Sequence, residues 1–488
     1  MTPDPASRAR ILRLSRMGAN AQAWTAFGQD GWAGHADYDA LLLKGRLRKA
    51  DALRARGEQR PGQLLSAAAD YAGAAALRRS PYALINAASL AWLGGDRATG
   101  AARAAEVLAM LDSGDHEADL PYWLGATRAE ALLVLGRAAE SAAALRAAIA
   151  ASPAAWEDRA ITLHQFALLL GAGEAAAGWL DEFRPGRVLV WRGVMTLAPD
   201  DAAAATRVRA AVEALAPSAG FGPLAAGADI LVAEALVALG GECHVVLPCD
   251  PDAFRAASVV PVDPAWGPRF DRLIEAATSL EIVSGANGIS PAAVALGDAI
   301  AAGMAIGHAR TLATAPVALR MRGMGDVPDA DDTEARWIAA GLALERVALK
   351  RSAPLPDTTA FGLHRLRAVL AVRGEAEVPF EGSRVHALGK GTFAFTDVHE
   401  GLAAAAAILR EGRGAAGIDV RLCADPPSPA DLAPARHAAA SAVALGVVAT
   451  RRAAAVARLH LPGLRTDLMG ELRTAFETEE VWRLGFSQ

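Results

Sequence analysis

From about Asp39 to Phe183 the chain reads almost wholly as helix, with Ala, Leu, Arg and Glu in excess and few β-branched residues. Two segments read as helix pairs: PYALINAASLAWLGGDRATGAARAAEVLAML from Pro81, and YWLGATRAEALLVLGRAAESAAALRAAIAASP from Tyr122. In the second, Ala129 and Leu132 share a face, Gly136 takes the turn, Leu145 and Ala148 face back, and Pro153 closes the unit. Gly95 holds the matching turn in the first. The pattern changes at Pro185-Gly186, after which short apolar runs alternate with helices. Expected here are a strand at Arg187–Trp191, a helix at Asp201–Leu215, a glycine-containing turn and a helix at Asp229–Leu239. A strand at His244–Leu247 ends at Pro248, which has no N–H to offer a neighbour. A helix at Phe270–Ala277 and a strand at Leu280–Val283 follow, an order that fits a three-layer α/β arrangement with a mostly parallel sheet. Beyond the polar stretch Gly325–Thr333, a helix is expected over Glu334–Lys350, with Trp337, Leu344 and Val347 on its apolar face, then a Pro-containing linker. The last part reads as a strand (Leu366–Val372), a hairpin (Val385–Phe395), a helix (His399–Arg410), a strand (Ile418–Leu422), a helix (Arg451–Leu459) and a final hairpin.

At 488 residues the chain is too long for one ordinary core and divides into two to four domains. With 53% hydrophobic and 21% charged residues, burying apolar surface does not limit folding. A formal net charge of -5 gives no global attraction to nucleic acid. The pairs Arg78-Arg79 and Arg451-Arg452 lack the interleaved aromatics of a strand-stacking surface, so no nucleic-acid role is expected. Cys243, Cys249 and Cys423 form no ligand cluster, which supports neither a disulfide framework nor a structural zinc site. No run of eighteen apolar residues stands out and the start lacks a signal-peptide core, so the expectation is cytoplasmic, without a membrane. His308, His364 and His460 read as isolated residues completing local hydrogen bonds, and no Gly-x-Ser-x-Gly elbow is present.

The spacing of the two helix pairs resembles the tetratricopeptide repeat of about 34 residues. Either a concave peptide-binding face or a scaffold that holds other domains accounts for such helices. In the central segment Gly222 and Gly227 precede a helix opening at Ala228-Asp229, where backbone N–H groups can receive an anion. The Gly-Lys-Ser/Thr ending of a P-loop is missing, and plain turn chemistry explains the glycines equally. Asp229 either contacts a ribose or caps its helix; Glu234 points either to a cleft or to solvent. Gly227-Ala-Asp-Ile230, His244-Val-Val-Leu-Pro248, Trp266 and Phe270 resemble the Rossmann-like nucleotide-sensor domains that follow such repeats in some bacterial signalling proteins. That resemblance implies a small nucleotide as ligand, with no tightly held cofactor.

The C-terminal stretch HALGKGTFAFTDVHEGLAAAAAILREG, with Asp419–Leu422, Ala435-Arg436, Gly446–Thr450 and Glu480–Leu484, resembles class III adenylate or guanylate cyclase domains. In that family a Gly-Asp-Gly hairpin and a preceding strand each supply an acid to a two-metal site. Here Lys390 stands in the hairpin between Gly389 and Gly391, and Ala368–Val372 runs into Arg373-Gly374 without an acid. An ammonium cannot ligate Mg²⁺ as a carboxylate does. Arg436 aligns with the family's transition-state arginine, but the asparagine expected four residues earlier falls on Leu432. Asp397 is read as a helix cap.

The chain is therefore expected to be multidomain. Residues 1–184 form all-α tetratricopeptide-like repeats, 185–325 an α/β Rossmann-like domain, 326–360 a helix and linker, and 361–488 an α+β degenerate cyclase-like domain. The expected function is non-catalytic signalling or scaffolding, with no catalytic or metal-binding residues, a protein partner on the repeats and self-association through the cyclase-like end. The alternatives are an enzyme acting on a nucleotide or nucleoside phosphate in the central domain, and a residual cyclase.

Overall fold

The computed structural model describes residues 4–16, 20–55, 57–153, 155–171, 174–283, 288–326, 332–353, 364–373, 385–389, 391–412, 414–442, 446–473 and 478–486. It divides into two units, Met1–Pro185 and Gly186–Gln488.

The first unit is helical throughout: α1 (Pro5–Arg16), α2 (Asn20–Gln29), α3 (Tyr38–Arg54), α4 (Gln59–Leu77), α5 (Pro81–Leu93), α6 (Arg97–Ser113), α7 (Pro121–Val134), α8 (Ala138–Ala151), α9 (Trp156–Leu170) and α10 (Glu174–Asp181). Both expected helix pairs form, as α5/α6 and α7/α8. Asp37, Ser80 and Asp96 cap α3, α5 and α6 by accepting from an amide three residues on, which satisfies donors that the helix itself cannot. Gly95 and Gly136 turn between paired helices with φ of 93° and 76°, a region that favours glycine. The pairs pack closely because small residues meet: a Cβ on Gly125 would lie 2.7 Å from that of Ala148. A polar ladder crosses the alternate helices α3, α5, α7 and α9. Lys49 Nζ donates to Asn86 Oδ1 (2.8 Å) and Gln165 Oε1 (3.1 Å), while Ser89 Oγ and Gln165 Nε2 donate to Glu130 Oε1 at 2.6 and 3.0 Å.

The second unit holds two sheets. The first comprises β1 (Arg187–Arg192), β2 (Pro217–Gly222), β3 (Glu242–Leu247), β4 (Ser279–Ile282), β5 (Pro316–Gly323) and β6 (Ala343–Leu349), in the order β4-β3-β2-β1-β5-β6 with all neighbours parallel. Between the strands run α11 (Ala202–Leu215), α12 (Ala228–Ala238), α13 (Pro251–Ser258), α14 (Gly267–Ala276), α15 (Pro291–Thr311) and α16 (Asp332–Ala339). Leu189 and Trp191 of β1 join one core with Val208, Ile230, Phe254 and Phe270 of α11–α14. Alternation sends Val188 and Val190 to the opposite face. The chain winds outward from β1 to β4, and α15 then carries it back to β5 on the other side of β1. The order of the sheet therefore reverses between β1 and β5, where a crevice opens beyond the carboxyl ends of the strands.

One strand was not expected and one helix is cut short. β2 has the sequence PSAGFG, a stretch given no element ahead of the glycine-containing turn, yet all six of its residues are buried. Its glycines are a packing requirement: a Cβ on Gly222 would lie 2.4 Å from the Trp191 ring, and one on Gly220 2.8 Å from Leu236. The helix expected over Glu334–Lys350 stops at Ala339; Gly341, at φ 69°, turns the chain, and residues 343–349 pair with β5 as β6. Trp337 is buried in the helix, while Leu344 and Val347 belong to the strand.

The second sheet is mixed, in the order β12-β13-β11-β10-β7-β9-β8. Its strands are β7 (Arg365–Arg373), β8 (Val385–Ala387), β9 (Thr392–Phe395), β10 (Ala415–Cys423), β11 (Gly446–Thr450), β12 (Leu464–Arg473) and β13 (Thr478–Phe486), with helices α17 (Val398–Glu411), α18 (Pro429–Ser441) and α19 (Arg451–His460). Among the described strands of this second sheet, only β10 and β11 pair parallel. α15 is the one described helix long and apolar enough to cross a membrane, a feature that reading the sequence for apolar runs passed over. Most of its apolar window is buried between β1 and α19. Contact with α19 is so close that a Cβ on Gly303 would lie 1.8 Å from the Ala455 carbonyl oxygen.

Candidate functional site in the central crevice

The crevice encloses about 400 Å³. On one side lies the loop after β1, locked to the start of α12. Ala228 N–H donates to the Val194 carbonyl (3.0 Å), and Gly193 N–H donates to Asp229 Oδ1 (2.5 Å). Both contacts demand glycine: a Cβ on Gly193 would come within 2.6 Å of Asp229, and one on Gly227 within 2.7 Å of the Val194 oxygen. Asp229 is 4% exposed. Burial, with Asp298 nearby, outweighs the Gly193 and Ala225 amides and Arg192, and pushes its carboxyl up to about 7. Asp298, on α15, pairs with Arg192 at 2.9 Å.

β5 forms the other side. Arg320 and Arg322 alternate along it with Met321. Arg322 pairs with Glu334 of α16 at 2.8 Å, and Arg346 of β6 with the same carboxylate at 2.7 Å. Burial alone would raise the Glu334 carboxyl, but the two guanidinium groups hold it below its ordinary value. Arg320 is only 4% exposed and lines the crevice, yet its Nε and Nη2 make no hydrogen bond; Glu334 is 4.0 Å away. Asp326 accepts from Gly323 N–H (2.8 Å) and from Arg351 (2.5 Å), closing the rim. The crevice thus gathers Arg192, Arg320, Arg322 and Arg351 around carboxylates, one of which, Asp229, is about half protonated at pH 7.

Of the sequence-derived candidates, Asp229 lines this crevice and Gly227 sets the helix start beside it. Gly222 ends β2 beneath Trp191. Glu234 forms an ion pair with Arg269 of α14, away from the crevice lining. The first amide of α12 is engaged by Val194, so cationic side chains from β1 and β5 dominate the opening rather than free helix-end amides. Those arginines lay in segments without a motif, and only the pairing of β5 beside β1 brings them together. Lys390 lies outside the described residues. Arg436 Nε donates to Thr392 Oγ1 (3.1 Å), which places this arginine against the β8–β9 hairpin. Asp397 accepts from His399 and Glu400 amides as a helix cap.

Two of the three histidines read as isolated, His308 and His460, have histidine neighbours. His460 is buried beside His399, with ring centroids 5.9 Å apart, and burial pulls it down to about 4. His308, at the end of α15, meets His244 and Glu242 of β3, which share a strand face as i and i+2. Glu242-x-His244 was the sequence signal that went unread. No protein-family model, curated protein or solved structure matches this chain.

Proposed function

We propose that this chain is a signalling or scaffold protein whose central crevice binds a phosphate-bearing ligand of the nucleotide class. The reading rests above all on Arg320, a buried guanidinium with two unsatisfied donors in the wall of a crevice at a sheet reversal. A buried, underpaired charge is costly unless something completes it, and a phosphate or carboxylate suits the planar fork of donors. Arg192, Arg322 and Arg351 add positive charge around it. In this reading the helical pairs are tetratricopeptide-like repeats that engage a protein partner. The C-terminal sheet is a cyclase-like domain that lacks metal-binding acids and serves self-association, with Arg436 beside its hairpin as a remnant.

Arg320→Met separates a ligand role from a structural one. Removing an underpaired buried charge while keeping the volume leaves the melting temperature unchanged or higher, because Arg322 and Arg346 still hold Glu334. The rise in melting temperature given by a binding nucleotide is then lost. Screening wild type and variant against mononucleotides, dinucleotides and inorganic phosphate by thermal shift tests this. A ligand that stabilises both equally removes Arg320 from recognition. The Asp229–Asp298 pair favours a second reading, an enzyme acting on a nucleotide or nucleoside phosphate, since an acid poised near pH 7 suits proton transfer. Turnover of a stabilising nucleotide by wild type, abolished in Asp229→Asn, would select it.

A further inference from the structure

A second cavity of about 780 Å³ lies between the central sheet, the end of α15 and the C-terminal sheet. His244 and His308 line it, and with Glu242 they form the one group of metal-capable side chains found among the described residues. Glu242 Oε2 lies 3.3 Å from His244 Nε2 and 3.2 Å from His308 Nε2, and all three donor atoms fall within 4.8 Å of one another. In a tetrahedral zinc site with bonds of about 2.0–2.1 Å, neighbouring donors stand about 3.3 Å apart. The two measured separations thus match tetrahedron edges. Orientation is set from behind. His244 Nδ1 is 2.8 Å from Ser279 Oγ, and the ring stacks on Phe221 at 4.3 Å, so a proton shared at Nδ1 leaves the Nε2 lone pair facing the group. His308 Nε2 is buried and makes no hydrogen bond, since its contact with Glu242 lacks the required alignment. His244 Nε2 is within hydrogen-bond reach of Glu242 Oε2, so one proton there is what a cation would replace, and the same cation would give His308 Nε2 the partner it lacks.

We propose that Glu242, His244 and His308 bind one divalent transition-metal ion of the zinc class, with an open coordination position toward the cavity. Two imidazoles and a carboxylate favour zinc or cobalt over magnesium, which prefers oxygen donors and retained water. The remaining wall carries Arg310, Arg451, Arg458 and Arg465 against Asp467 and Glu480. Arg458 is held by Thr466 and the Trp482 ring, and Arg451 by Glu281 and Glu480. That surplus of positive charge suits water or an anion at the open position and disfavours a second cation.

The test is titration of untagged, chelator-treated full-length protein with Co²⁺, read by visible absorption, and with Zn²⁺, read by calorimetry. One ion per chain, a tetrahedral-type cobalt band displaced by Zn²⁺, and at least tenfold weaker binding in Glu242→Gln and His308→Ala are expected. Magnesium at millimolar concentration leaves the band unchanged. Circular dichroism of both variants, of which Glu242→Gln is a nearly isosteric change at a partly exposed position, checks that they are folded. Absence of stoichiometric binding overturns the site, leaving a histidine-clamped carboxylate; so does binding that both folded variants retain.

Discussion

At the residue scale, Asp229 carries the sharpest consequence. Its folded carboxyl titrates near 7 against an ordinary value of 3.8. Between those values the folded state binds the extra proton, so stability falls as pH rises from about 4 to about 7. Three pK units set roughly 4 kcal/mol as the upper bound of that loss. Asn is neutral throughout and still accepts from the Gly193 amide. Relative to wild type, Asp229→Asn is therefore expected to gain about 1–3 kcal/mol between pH 5 and pH 8, measured by urea denaturation at both pH values. A variant that instead loses stability relative to wild type over that range would show that the ionised form is the one the fold uses. Asp229 was legible in the sequence because it follows a glycine at a helix start. Arg320 was not, because β5 has no motif and its significance arises only from lying beside β1.

At the element scale, α15 and β2 show why pattern reading succeeded in some places and failed in others. The strands β1, β3 and β7 were legible because they are built on runs of Val and Leu, with Ala in β7, that are buried on both faces. β2 was hidden because its residue types follow a tertiary demand, room for Trp191 and Leu236, that outweighs strand propensity. β6 was misread because ALERVAL also fits a helical face, and only Gly341 marks the break. α15 is fixed by its crossing with α19, where Gly303 meets the Ala455 carbonyl. Gly303→Ala must push two backbones apart, which is expected to cost at least about 3 kcal/mol in chemical denaturation. Gly307→Ala meets only the movable end of Arg458 and is expected to cost less. Equal effects of the two would mean that the crossing yields more readily than its geometry implies.

At the scale of the whole molecule, Pro185 divides two units, each with its own buried clusters. Residues 1–185 and 186–488 are expected to give separately folded fragments with cooperative melts by circular dichroism. A fragment ending at residue 353 keeps all six strands of the parallel sheet but strips α19 from α15. It is expected to aggregate or to melt well below the 186–488 fragment, because the apolar surface of α15 becomes exposed. A stable, monomeric 186–353 fragment would show that the parallel sheet needs no support. The broad layout of helices, parallel sheet and mixed sheet was readable from composition and periodicity. The dependence of one sheet on the other was not, since it rests on a glycine–backbone contact between residues about 150 positions apart.

α15 has one more implication. Asp298 near its beginning lines the crevice, and His308 near its end lines the second cavity, about 15 Å along the axis at helical rise. The rod between them is pinned midway, with no slack against its neighbour. Tilting or sliding at one mouth would then carry to the other, so filling either chamber is expected to alter the free energy of filling its counterpart.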